Sequence, residues 1–131
     1  MRRLSSVGVA LALVLGPGAT LAVDDGSAWG RGAFEATGSM SLGRYGHDTA
    51  SLPDGRVLVV GGEPEGRGGK RVEVLDPTTG TFSRTGSMAK ARFRPGVAAL
   101  RDGRVLVVGG QGPGGVARSA EIWDPETGQF A

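Results

Sequence analysis

The chain is 131 residues long, with 15 Lys and Arg against 13 Asp and Glu, one histidine, 25 glycines and no cysteine. Without cysteine, a disulfide framework and a lipid-modified amino-terminal cysteine are both excluded. The formal charge of +2 comes from Arg2 and Arg3, which leaves 13 basic against 13 acidic residues downstream, no basic surplus for nucleic acid or an anionic membrane.

In chain order, Arg2 and Arg3 precede an apolar run over residues 4–15, broken by Gly16, Pro17 and Gly18 and followed by the small-residue site Thr20, Leu21, Ala22. This reads as a secretory signal peptide over residues 1–22, cleaved after Ala22. The run is too short for a membrane anchor, which needs roughly 20 apolar residues, so no span remains after cleavage. Residues 23–32 form a linker. Asparagine is absent, so no acceptor for an N-linked glycan exists.

The dominant signal follows. Residues 38–82 recur at residues 86–130, at a constant offset of 48 and without a gap. Asp54, Gly55, Arg56, Val57–Val60, Gly61 and Gly62 return as Asp102, Gly103, Arg104, Val105–Val108, Gly109 and Gly110. Asp76, Pro77, Thr79, Gly80 and Phe82 return as Asp124, Pro125, Thr127, Gly128 and Phe130. A period of this size marks a solenoid or propeller, whose units bury their faces against neighbouring units. The organisation is therefore residues 38–85 as one repeat, 86–131 as a second, and 33–37 as a stub strand in which Phe34 stands 48 before Phe82.

Each repeat reads as four antiparallel strands. The first covers residues 44–52 and 92–100 and ends at an Asp-Gly loop, for which a type I′ turn with φ > 0 at both central residues is expected. The second, Val57–Val60 and Val105–Val108, is continuously apolar and β-branched, as for a strand covered on both faces; these are expected to be the most buried stretches. The di-glycine ends it. The third strand covers residues 71–75 and 119–123 and closes on Asp-Pro-x-Thr-Gly, a turn in which proline pre-sets φ and glycine takes the left-handed position. The fourth starts at Phe82 and Phe130. Four short strands in this span make one propeller blade.

The Asp-Gly-Arg-Val lead into an apolar strand, the di-glycine after it and the aromatic after Asp-Pro-x-Thr-Gly resemble Kelch repeats of the bacterial secreted type, similar to the propeller of galactose oxidase-like proteins. The resemblance covers residues 33–131. It implies an all-β fold of two four-stranded propeller blades plus the stub, an incomplete propeller beside the 4 to 8 blades usual in this architecture. The stub is expected to complete the blade that breaks off after Phe130, in the same chain or a neighbour, so a homo-oligomer completing a propeller is a possible assembly. The resemblance also implies, for the enzymes of that group, copper with a thioether-linked tyrosine. A chain without cysteine cannot supply that link.

Candidate chemistry is sparse. Residues 110–115 match the spacing of a dinucleotide-binding fingerprint, but no helix pattern follows to hold a pyrophosphate. His47 is replaced by Pro95 in the second repeat, so no repeated metal site can be built on it; a local hydrogen bond near the start of the blade is its expected role. Arg44 and Arg92 are equivalent, and repetition points to a role every blade needs, holding a loop or pairing with a carboxylate. Asp54, Asp76, Asp102 and Asp124 are turn formers. No cofactor, metal or catalytic residue is expected.

The repeats differ in the loops between strands two and three, charged over residues 63–71 and nearly uncharged over 111–119. Chain direction puts these loops on the same face as the links 38–43 and 86–91, with the tight turns opposite. Loops on a rigid scaffold carry binding residues, so Glu63, Glu65, Arg67, Lys70, Arg71, Gln111 and Arg118 are the candidate contacts for an unidentified protein or carbohydrate. The function expected is an exported, non-catalytic binding module acting through the loops between strands two and three and the links between strands four and one, with a truncated or remnant propeller of a galactose oxidase-like enzyme, without independent activity, as the alternative.

Overall fold

The computed structural model describes residues 34–62 and 69–131; the signal peptide, the linker and the candidates Glu63, Glu65 and Arg67 lie outside them. Glu35–Ala131 forms one compact unit, while Phe34 belongs to the preceding one and its side chain is exposed. The stub residues 34–37 form no strand.

The fold is all-β. Strands β1 (Asp48–Ser51), β2 (Val57–Val60), β3 (Val72–Asp76) and β4 (Thr81–Arg84) form the first blade, in the order β1-β2-β3-β4. Strands β5 (Gly96–Ala99), β6 (Val105–Val108), β9 (Ala120–Asp124) and β10 (Gln129–Phe130) form the second, in the order β5-β6-β9-β10. All pairings are antiparallel, and the registers coincide at the sequence offset: Val57 faces Leu75 in one blade and Val105 faces Trp123 in the other. Between β6 and β9 the loop folds into its own ribbon, β7 (Gln111–Gly112) with β8 (Gly115–Val116). The dinucleotide-like spacing therefore sits on a hairpin.

The Asp-Gly turns differ from the expected type. Gly55 and Gly103 both have φ of 87°, but neither Asp54 nor Asp102 has positive φ. The amide of Gly55 donates to the Leu52 carbonyl at 3.0 Å and that of Leu52 to the Arg56 carbonyl at 2.8 Å. This is a three-residue loop, a type I turn followed by a left-handed glycine bulge. A carboxylate explains the preference: Asp54 Oδ1 accepts from the Arg56 amide at 3.0 Å and Oδ2 from Arg56 Nε at 2.7 Å, which holds the aspartate in the right-handed turn region. The Asp-Pro turns follow expectation, with Gly80 and Gly128 at φ of 68° and 67°.

The core is the contact between blades. Ala50, Leu58, Val60, Val72 and Val74 cover one face of the first blade and meet Val105, Val107 and Trp123 of the second, with Leu52 and Met88 closing the cluster. The pleat puts alternate residues on opposite faces, which separates these sets cleanly. The innermost strands are bonded as well: Asp48 Oδ2 accepts the Val97 amide at 3.1 Å. Burial of β2 is as expected, but β6 is not covered on both sides. Val105 and Val107 are buried, whereas Val108 is 47% exposed, because the second blade has the first on one face and none of the described residues stacked on the other.

Candidate functional site

Each blade ties its loops together through a buried arginine. Arg92 is fully buried and its five N–H donors make five contacts. Nη1 donates to the carbonyls of Gly109 and Ser119 at 2.7 and 2.9 Å, Nη2 to Ser119 Oγ and Glu121 Oε1 at 3.0 Å each, and Nε to Glu121 Oε1 at 3.3 Å. Glu121 accepts in turn from the amides of Ala89 and Lys90 at 2.6 and 3.3 Å. One ion pair thus clasps both ends of the loop between strands two and three and the link that leads into the blade. Arg44 does the same in the first blade, donating to the carbonyls of Gly61 and Arg71 and to Glu73, whose Oε1 accepts from the Ser41 amide. The structural role expected of the paired arginines holds.

The clasp gathers the loops on one face, as chain direction required. There a cleft of about 480 Å³ is lined by Lys70, Lys90, Arg118 and the β7–β8 ribbon with Pro113 and Val116. Lys70, Lys90 and Arg118 are not buried, and none forms an ion pair among the described residues. Of the candidates from sequence, Lys70 and Arg118 line the cleft. Arg71 and Gln111 are exposed, and the Gln111 backbone pairs with Phe93 through amide-to-carbonyl bonds of 2.6 and 2.8 Å in the two directions. Lys90 lies on the link 86–91, which the sequence placed on this face, but it was not among the residues singled out there.

An aromatic pair lies at the start of strand one. Tyr45 and Phe93 occupy equivalent positions and pack edge to face at 5.3 Å, with the Arg94 guanidinium 5.3 Å from the Phe93 ring centre. Tyr45 is half exposed. Arg94 is the one described non-glycine residue with positive φ, at 51°, and its counterpart is Gly46 at 66°. The first repeat meets this backbone demand with glycine, and the second holds an arginine in a region that costs roughly 1–2 kcal/mol. The Arg94 amide donates to the Gly46 carbonyl at 2.7 Å, pinning the first turns of the two blades together. The repeated aromatic after each clasp arginine is the sequence signal that could have found this site.

His47 is exposed and its side chain makes no hydrogen bond among the described residues, so the local bond expected of it is not formed. No cluster of three His, Cys, Asp or Glu able to hold a metal occurs among the described residues. The donors among the described residues do not fit the copper centre that an oxidase-like fold implies.

On the opposite face, the Arg56 backbone amide, then its side chain, hold Asp54 below the usual aspartate range. The Arg104 side chain, then its amide, do so for Asp102. Both are turn carboxylates in open solvent.

Comparison with known proteins defines the class. The Kelch motif model matches residues 92–131, the second blade. No curated protein matches the sequence. Among solved structures, a novel fungal alcohol oxidase of the AA5 family, in complex with copper, is similar with a TM-score of 0.55 and 22% identity, over 67% of this chain and 18% of that chain. The chain spans under a fifth of that enzyme's length, and likeness at this identity is likeness of fold. Together these findings define an all-β fold of Kelch-type propeller blades.

Proposed function

We propose that the chain is an exported Kelch-type propeller module that binds a protein or glycan ligand without chemistry, on the face that carries the cleft and the aromatic pair. The observation that carries this reading is the cleft itself. Its volume falls in the range of ligand pockets, roughly 300–1,000 Å³, and three cations border a mostly apolar lining. Such a surface suits an acidic ligand with apolar faces, and the half-exposed Tyr45 at the start of strand one offers a stacking platform. Calorimetric titration with a uronic-acid oligosaccharide, a neutral one of equal length and an acidic peptide tests the reading. Saturable, salt-sensitive binding of one acidic ligand, lost in the Lys90→Glu/Arg118→Glu variant, is expected. Binding of none of them, or binding untouched by that variant, refutes it. Amino-terminal sequencing of the exported protein should begin at Val23; an intact Met1 would refute export by a cleaved leader.

The likeness to a copper alcohol oxidase favours a second reading, the propeller part of a galactose oxidase-like enzyme without activity of its own. It predicts a larger polypeptide and a copper site completed by residues other than these. Elemental analysis finding about one copper per molecule of that larger polypeptide, and none on this chain alone, would support it against the binding module.

A further inference from the structure

The contact between the two blades has two halves, and the repeat presents each half a second time on a face against which no second blade stacks among the described residues. Ala50, Leu58, Val60 and Val74, all buried, form the first half; their counterparts in the second blade are Ala98, Leu106, Val108 and Ile122. There Ala98 and Val108 are exposed and Leu106 and Ile122 only partly buried. Val97, Val105, Val107, Trp123 and Phe130 contribute to the second half, and their counterparts in the first blade are Thr49, Val57, Val59, Leu75 and Phe82. Thr49 is exposed, Val57, Leu75 and Phe82 are partly buried and Val59 is buried. The molecule thus contains one worked example of what covers each of its two outward faces.

We propose that the Leu106, Val108 and Ile122 face is covered by the Thr49, Val57 and Leu75 face of a second copy of this chain, in the geometry already formed between the blades. The link leading into the first blade fits that geometry: the Gly38 amide donates to the Gly80 carbonyl at 2.7 Å, as the Gly86 amide does to the Gly128 carbonyl at 2.8 Å. The Thr37 and Thr85 hydroxyls repeat the match, donating to the same two carbonyls. Because the two faces differ, the contact is head-to-tail and closes only as a ring. Three or four chains give six or eight blades, within the range of about 4 to 8 known for propellers. One bond does not carry over. Gly96 stands where Asp48 accepts the Val97 amide, so contact between copies lacks that carboxylate and dissociates on dilution before the blades part.

The chain, purified from the exported fraction with its own leader processed, is studied by sedimentation velocity at micromolar concentration. The expected mass is that of three or four chains. Val108→Arg and Thr49→Arg each change a side chain that is exposed in the single chain, so both variants should stay folded by circular dichroism yet sediment as monomers. Mixed in equal amounts they should give a 1:1 dimer and nothing larger, since each retains the half that the other lacks. A folded wild-type monomer or dimer overturns the proposal and leaves the faces to blades from a different polypeptide. Assemblies that survive either substitution, or variants that stay monomeric when mixed, overturn it equally.

Discussion

Replacing Glu121 with alanine tests the loop clasp directly. The substitution leaves the Arg92 guanidinium, which is 0% exposed, without the carboxylate that pairs with it. It also strips acceptors from Nε, from one Nη2 proton and from the amides of Ala89 and Lys90. Removing one partner of a buried, hydrogen-bonded ion pair costs about 3–5 kcal/mol, against a total stability of about 5–15 kcal/mol for a folded domain. Glu121→Gln keeps the shape and one acceptor but turns a donor toward the Ala89 amide, for an expected loss of about 1.5–3 kcal/mol. The double variant Arg92→Met/Glu121→Leu removes both charges and leaves the Gly109 carbonyl without the Arg92 donor, while the Ser119 carbonyl keeps the Gly109 amide at 3.2 Å. It should therefore cost less than the sum of Arg92→Met and Glu121→Leu measured singly, by more than about 1 kcal/mol. Urea unfolding followed by the fluorescence of the buried Trp123, at one fixed protein concentration, gives all these values by linear extrapolation. A loss below about 1 kcal/mol for Glu121→Ala would show that the pair behaves as a solvated surface bridge and would refute the clasp.

Three further outcomes follow from the geometry. Leu58→Ala empties the centre of the contact between blades, where Leu58 is fully buried, and should lower stability by about 2–5 kcal/mol in urea unfolding; a cost under about 1 kcal/mol would deny that this contact is the core. Gly46→Ala should cost clearly more than Gly55→Ala in the same assay. Both positions have positive φ, but a Cβ at Gly46 would lie 2.1 Å from the Phe93 ring while one at Gly55 meets nothing within 4 Å; equal costs would refute the close approach. Carboxyl titration by NMR should place Asp54 and Asp102 below the ordinary aspartate value, since both folded-state values are lowered. Stability from these turns is then present above the unfolded aspartate pKa and lost as pH falls through the folded values; unshifted titrations would contradict it.

The gapless offset made most of the fold legible, because a repeat fixes strand number, order and register together, and the two blades agree at every paired position. Pattern alone did not separate the Asp-Gly loops into type I′ and type I with a bulge. Both place glycine at positive φ, and what decides is the side-chain bonding of Asp54 to Arg56. The half-exposed state of β6 was hidden because Val57–Val60 and Val105–Val108 have identical sequences, and burial depends on what stacks against them. The clasp was anticipated from the equivalence of Arg44 and Arg92, though not its carboxylates Glu73 and Glu121, which lie among apolar residues of the third strand and give no local signal. The site was half legible. Lys70 and Arg118 stood out as loop charges, whereas Lys90 lay unremarked on a link already placed on that face, and the pairing of Tyr45 with Phe93 shows only once the first turns of the two blades meet.

The Arg–Glu clasp also separates what is free to vary in a blade from what is not. Residues 63–70 and 111–118 share almost no side chains at equivalent positions, yet the residues that flank them are gripped at equivalent backbone sites, the carbonyls of Gly61 and Arg71 in one blade and of Gly109 and Ser119 in the other. A grip on carbonyls ignores the identity of the residues that carry them. Each blade therefore works as a socket whose rim is fixed by the main chain, into which loops of different composition can be seated without moving the strands beneath.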